Sequence, residues 1–279
     1  MKETDLIPFT KMSGTGNDFI VFDNRDGRFT GEESSFFAAV CRRRHSVGAD
    51  GVILADRGAS APVRMRYYNA DGGAAAFCAN GARCAARFAF EKGFTEEHRF
   101  ILEASDGNHA MEVLPDTVRL RMAEPVAYTE SPEMARDSRF RDAGFINTGV
   151  PHLVLFLDDA AALEALDVES EAPFYRRHPA FPGGTNVNFA ARTAEGEIRV
   201  RTFERGVEGE TLSCGTGCTA AALIASRAGR AAAPPVSVRT RGGLLTVDFD
   251  PHWRTVVLSG PAVTIFEGVL RPTSWSTGP

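Results

Sequence analysis

No stretch of the 279-residue chain is long and apolar enough to span a bilayer. The run Leu153-Val154-Leu155-Phe156-Leu157 falls far short of the roughly 20 residues a membrane helix needs. A basic block is missing as well. With 31 Lys plus Arg against 36 Asp plus Glu, the formal net charge is −5, so the electrostatic footprint of a nucleic-acid binder is absent and no such partner is expected. Met1 to Leu6 carries acidic residues where a secretion signal would be basic and then apolar, and a cytoplasmic protein is expected. The five cysteines are odd in number and form no CxxC knuckle, which argues against a disulfide framework and against structural zinc. Gly14-Thr15-Gly16 lacks the third glycine of a dinucleotide turn and the lysine of a nucleotide loop. It reads instead as a turn that delivers Asn17.

What the chain does have is a pair of cysteines in matching settings. Cys78-Ala79-Asn80-Gly81 and Cys214-Gly215-Thr216-Gly217 each open an alanine-rich stretch of helical character, 136 positions apart. The first N–H groups of a helix lack intrahelical acceptors and the dipole is positive there, so a thiol at that place is expected to lose its proton more readily. Two such turns nearly half a chain apart suggest a duplicated scaffold, and paired thiols can do acid–base chemistry. Cys41, Cys84 and Cys218 read as small buried hydrophobes.

The remaining pattern is an α/β (α+β) alternation in two passes. Strands are expected at Phe19 to Asp23, Gly51 to Ala55, Arg64 to Tyr68, Phe100 to Ala104, His109 to Leu114 and Val118 to Met122, with helices at Glu32 to Arg43 and Asn80 to Lys92. After Glu124-Pro125 the order repeats. Strands around Phe145 to Asn147 and His152 to Leu157 precede a helix near Ala160 to Leu166. Strands at Asn186 to Ala190 and Ile198 to Phe203 follow, then the second cysteine-led helix to about Ala228. Val236 to Thr240, Leu244 to Phe249, Thr255 to Ser259 and Thr264 to Gly268 complete the set. Thr219 to Ala225 is almost wholly small or apolar, and Asn80 to Lys92 offers water only the stripe Arg83, Arg87 and Glu91. Both helices should therefore be largely enclosed by strands. The Pro/Ser/Thr-rich tail from Arg271 is expected to lack regular structure.

Lys11-Met12-Ser13-Gly14-Thr15-Gly16-Asn17-Asp18-Phe19, Asn69-Ala70-Asp71-Gly72, Cys78-Ala79-Asn80-Gly81-Ala82-Arg83-Cys84, Gly149-Val150-Pro151-His152, Asn186-Val187-Asn188-Phe189 and Glu204-Arg205-Gly206 before Cys214-Gly215-Thr216-Gly217 follow one another along essentially the whole chain. Taken together they resemble the diaminopimelate epimerases. The resemblance implies two similar domains, 1–124 completed by 262–279, and 125–261. Each would be a strand-rich layer or barrel around a central helix, with the active site in the interdomain cleft. It also implies a cofactor-independent isomerase in the lysine and cell-wall precursor pathway, without pyridoxal phosphate or metal. That enzyme interconverts LL- and meso-2,6-diaminopimelate.

The chemistry of the residues agrees with that implication. Inverting an α-carbon requires an acid–base group on each face, and Cys78 and Cys214 would supply the two. The backbone donors of Ala79, Asn80, Gly215 and Thr216 would hold the adjacent carboxylate. By resemblance Asn17, Asn69, Asn186, Glu204 and Arg205 bind substrate, while His152 and Glu204 set the charge of the thiols. The chain departs from the family pattern at Ala79, where glycine is usual, and at Val150, where asparagine is common. It also carries one extra residue, through Glu208, between Glu204 and Cys214, so that turn must bulge. A proline or hydroxyproline epimerase would share the mechanism but leave Arg205 and the asparagines without a second carboxylate to hold. A thiol redox protein and a metal site on Cys78, Cys84, Cys214 and Cys218 are the non-enzymatic alternatives. The oligomeric state stays open, a homodimer included.

Overall fold

The computed structural model describes residues 6–75, 77–130, 133, 139–140 and 142–271. The chain divides into two compact units, Met1–Leu120 with Gly260–Pro279, and Arg121–Ser259. Among the described residues there are five helices: α1 (Ser34–Cys41), α2 (Ala79–Glu91), α3 (Ala160–Ala165), α4 (Val168–Arg176) and α5 (Gly215–Arg227). None is long and apolar enough to cross a membrane.

The two units repeat one pairing scheme. In the first, an antiparallel hairpin joins Ile7–Gly14 to Asn17–Asp23, whose Phe19 to Asp23 then pairs in parallel with Gly51 to Ala55. That strand pairs antiparallel with Val63–Asn69, which in turn runs parallel to Arg99–Ala104 at Val63 and Arg64. In the second, the hairpin Asp142–Asn147 with Pro151–Phe156 is followed by the parallel pair His152 to Phe156 with Asn186 to Ala190. The antiparallel pair Asn186–Arg192 with Ile198–Glu204 comes next, then parallel pairing to Val236–Thr240 at Ile198 and Arg199. The last strand, Val263–Leu270, joins the first unit by pairing antiparallel with Ile7–Gly14.

Parallel strands covered on both faces must be apolar on both, which is why Phe19-Ile20-Val21-Phe22 and Val52-Ile53-Leu54 are unbroken hydrophobic runs, each residue at most 1 % exposed. Alternate side chains go to opposite faces. Ile20, Phe22, Val52 and Leu54 pack outward against Phe36, Phe37 and Val40 of α1. In the second unit Leu153, Leu155, Val187 and Phe189 pack against Leu163 of α3 and Ala172 and Tyr175 of α4. The other face surrounds the cysteine-led helix. In the first unit α2 touches strands Ile7–Gly14, Asn17–Asp23, Gly51–Asp56, Val63–Asn69 and Gly107–Val113, and α5 is surrounded likewise in the second.

Besides the short strands Ala74–Ala75, Val126–Glu130 and Gly209–Thr211, three features differ from the sequence reading. Strand Ile7–Gly14 goes unpredicted because its long-range partner lies at the far end of the chain. Helix α4 was hidden by its internal Pro173, yet Asp167 caps it, accepting from the Ser170 N–H. The expected solvent stripe on α2 is the third correction: Arg83 is fully buried and Arg87 is 8 % exposed. A buried guanidinium needs acceptors, and the fold supplies them. Arg83 donates to Ala79 O, Thr15 Oγ1 and Asn80 Oδ1, and Arg87 donates to the carbonyls of Leu114, Pro115 and Thr117 in a nearby turn. The tail beyond Arg271 lies outside the described residues.

Candidate active site

In the first unit the functional residues gather at the start of α2. Thr15 and Gly16 form a two-residue hairpin turn with φ of 55° and 91°, the left-handed pair that matches strand twist, and this sets Asn17 at the head of its strand. Gly14 must be glycine here. A Cβ on it would stand 2.7 Å from Asn80 O and 3.0 Å from Cys84 Sγ, so the hairpin is pressed against the helix start.

Cys78 is the N-cap of α2, with extended φ and ψ of −136° and 113°, and its Sγ accepts from the Gly81 N–H at 3.4 Å. The sulfur takes the part usually played by a serine or aspartate oxygen. Asn80 Nδ2 donates to Asn17 Oδ1 at 2.6 Å, and Asn17 Nδ2 donates to Asp50 Oδ2 at 3.1 Å. Asp50 is itself held by Arg43, which also pairs with Asp18. Burial alone would raise the Asp18 carboxyl, but Arg43 and Lys11 hold it below the usual carboxylate range. Asn69 ends its strand on the exposed loop to Gly73, closed by its own N–H on Gly73 O at 2.9 Å.

The second unit assembles a denser polar group. Cys214 caps α5 with φ −117° and ψ 110° and is 7 % exposed. Its Sγ lies 3.4 Å from Thr216 Oγ1, which lies 2.9 Å from His152 Nε2. His152 Nδ1 is 3.1 Å from Asn188 Nδ2, and Asn188 Oδ1 accepts from Thr202 Oγ1 at 3.0 Å. Thr148 Oγ1 braces the turn by donating to Thr216 O at 2.9 Å.

Glu204 accepts from Thr211 Oγ1 at 2.5 Å across its hairpin. Asn186 Oδ1 receives the Arg205 N–H at 2.8 Å while Nδ2 donates to Pro151 O, so its amide ties the Glu204–Arg205 turn to the strand carrying His152. The Arg205 guanidinium is exposed and donates to Gly183 O at 3.0 Å. Glu208 takes up the extra residue with a φ of 56°, its carboxylate gripped by Arg176 and Arg177. Val150 lies in the turn between the strands of the Asp142–Phe156 hairpin.

The electrostatics correct one expectation. Burial, seconded by the negative charge of Glu204, pushes the Cys214 thiol well above its ordinary value, outweighing the donors Thr216 and Gly217 N–H. At Cys214 desolvation thus beats the helix end. His152 is driven the other way, to about 3, by complete burial and then by the positive charge of Arg205. It is a neutral imidazole throughout the ordinary pH range. Cys84 and Cys41, with thiols pushed up to about 12 by burial, are inert packing residues.

The model of the family described as diaminopimelate epimerase matches residues 9–128 and 144–265, nearly all of both units. The chain belongs to the diaminopimelate epimerase family. Diaminopimelate epimerases of Archaeoglobus fulgidus and a Hydrogenobaculum species are 41 % and 40 % identical to it; the matches cover 95 % and 94 % of this chain and 96 % and 97 % of those proteins. Among solved structures, a PhzF-family phenazine biosynthesis protein of Bacillus anthracis aligns over 95 % of this chain and 99 % of its own, with a TM-score of 0.73 at 15 % identity. A hydroxyproline epimerase of Agrobacterium vitis aligns over 97 % and 94 % with a TM-score of 0.66 at 17 % identity. At such low identity these two show the shared fold alone.

Within this member of the epimerase family, the structure brings Cys78, Ala79, Asn80 and Asn17 together in the first unit. Cys214, Gly215, Thr216, His152, Asn186, Glu204 and Arg205 share the second. Sequence reasoning passed over Arg83, Thr148, Asn188 and Thr202. Asn186-Val187-Asn188-Phe189 held a signal: polar residues at every second place of a strand buried on both faces need partners inside the unit.

Proposed function

We propose that this protein interconverts LL- and meso-2,6-diaminopimelate, with Cys78 and Cys214 as the two acid–base groups. Support comes from family membership at about 40 % identity over nearly the whole chain, together with a cysteine as N-cap of each of the two buried helices. One thiolate removes the α-proton; the opposing thiol returns a proton to the other face. The N–H groups of Ala79, Asn80, Gly215 and Thr216 stabilise the substrate carboxylate and the charge that spreads into it during planarisation.

Asn17, Asn69, Asn186, Glu204 and Arg205 are assigned to the rest of the substrate. Arg205 is suited to the distal carboxylate because its fork can donate two parallel hydrogen bonds. Asn17 and Asn186 each use one amide N–H within their own unit, which fixes their orientation and leaves a second N–H for the ligand. No cofactor takes part in this chemistry.

Incubating LL-diaminopimelate with the reduced protein in heavy water should give the meso isomer with deuterium at the inverted α-carbon. Absence of both epimerisation and exchange, from folded protein that turns over another α-amino acid, would show the substrate assignment to be wrong.

A further inference from the structure

The two units repeat their strands, but not the layer beneath the cysteine turn. Phe19 lies opposite Gly51, and Ile53 opposite Tyr67, in the first unit. The same register places in the second unit are His152 opposite Asn186, and Asn188 opposite Thr202. Gly81 and Gly217, each three residues after its cysteine, confirm the match. A Cβ on Gly81 would meet Ile53 Cδ1, whereas one on Gly217 would meet Asn188 Oδ1 and His152 Cε1. Phe19, Ile53 and Tyr67 are a packing layer, with Phe19 and Tyr67 edge to face at 5.9 Å. The scaffold thus stands without an imidazole or an amide at these places, and their burial in the second unit calls for a purpose other than folding.

The hydrogen bonds of that layer have only one consistent direction. Asn188 faces the carbonyl of Leu153 with Nδ2 at 3.0 Å, and a carbonyl can only accept, so the amide nitrogen must be on that side. The same NH2 group therefore donates to His152 Nδ1, and Asn188 Oδ1, turned away, accepts from Thr202. With Nδ1 an acceptor, the neutral ring carries its proton on Nε2 and donates it to Thr216 Oγ1. The Thr216 hydroxyl proton is then free to point at Cys214 Sγ.

We propose that Asn188 is a positioning residue that locks His152 as a neutral Nε2–H donor, so that the file Asn188–His152–Thr216 runs towards the sulfur of Cys214 and never away from it. The proposal rests on Cys214 being an acid–base thiol, as above. When Cys214 hands its proton to the carbanionic α-carbon, the S–H bond breaks, a C–H bond forms, and the thiolate left behind accepts the Thr216 O–H. No proton enters the ring, because Nε2 is already protonated and Nδ1 is covered by the Asn188 amide. Cys214 and His152 form no thiolate–imidazolium pair. The layer of Phe19, Ile53 and Tyr67 in the first unit holds neither an imidazole nor an amide side chain, so the repeated fold sets its two thiols in inequivalent surroundings. The titratable groups around the file are Arg205, Glu204, Cys214 and Cys218. The cationic Arg205 further opposes a charged ring.

The test is the tautomer of His152, read by long-range proton–nitrogen correlation in full-length protein labelled in its histidines, with the signal assigned by its loss in His152→Gln. Wild-type protein should show the Nε2–H form, unchanged between about pH 5 and 8. In Asn188→Asp the carboxylate can only accept, so the ring should move to Nδ1–H and titrate within that range. The same variant should lose about tenfold or more in kcat with KM little changed, and gain an ionisation in its pH profile. A wild-type ring found as Nδ1–H or imidazolium would overturn the proposal, whether or not the variant folds. So would an Asn188→Asp protein with an unaltered tautomer. The spectrum needs no substrate. Protein that shows the Nε2–H form yet is inactive on diaminopimelate would fault the proposed function and leave the tautomer assignment standing.

Discussion

Gly217, in the first turn of α5, lies so close to Asn188 that an added Cβ would overlap the amide oxygen, and it would come within 3.3 Å of both Cys214 Cβ and His152 Cε1. Its counterpart Gly81 has ordinary room, the nearest atom to an added Cβ being Ile53 Cδ1 at 3.4 Å. Alanine is the better helix former by about 1 kcal/mol, so Gly81→Ala should be neutral or stabilising. Gly217→Ala should destabilise by about 1–3 kcal/mol through overpacking. Urea unfolding of the two variants side by side checks the contrast; equal midpoints would refute it.

Single replacement of Cys78 or Cys214 by alanine should abolish epimerisation of diaminopimelate, since one face of the α-carbon then lacks its acid–base group. Cys84→Ala and Cys218→Ala remove thiols that are fully buried and should keep activity with some loss of stability. Chirally resolved product analysis distinguishes the two pairs. Full activity in either of the first two would contradict the two-thiol mechanism.

Stability should fall as the solution is acidified below about pH 6.5. A free histidine titrates there, whereas folded His152 is held down to about 3, first by burial and then by Arg205. Between those values the unfolded chain binds a proton that the native state refuses, so ∂ΔG/∂pH is positive. The linked stability is complete above the unfolded value and lost progressively as pH falls towards the folded one. Asp18, with its carboxyl held low by Arg43 and Lys11 against the effect of burial, adds a second loss at lower pH, beginning near the ordinary carboxylate value of about 4. Thermal midpoints measured from pH 8 to pH 4 should show a decline that flattens in His152→Gln.

Arg87→Met should lower stability by about 1–3 kcal/mol, because the carbonyls of Leu114, Pro115 and Thr117 lose a buried donor that the apolar side chain cannot replace. The effect is read as a shifted urea midpoint with an unchanged slope. An exposed residue, as the sequence pattern suggested for this position, would shift it by no more than a few tenths of a kcal/mol.

The two-pass α/β order, the two buried helices and the cysteine that begins each are legible in the amino-acid pattern. Those features are local: apolar runs with turn residues between them, small side chains repeated along a helix, and a glycine-bearing turn at its start. The hairpin turn that delivers Asn17 was legible for the same reason. The roles of the polar residues come from long-range packing. Arg83 and Arg87 have the spacing of a solvent stripe, yet Arg83 completes its acceptors with Thr15 and Arg87 meets all of its own only when distant turns fold onto α2. The strand Ile7–Gly14 gains its second neighbour from the other end of the chain. Cys78 and Cys214 look alike in sequence, and the expected ease of deprotonation follows from the helix start alone. What lies beneath them, Phe19 and Ile53 in one case and His152 and Asn188 in the other, is set by strand register. In a low-dielectric interior, the burial built by that packing outweighs the helix end at Cys214.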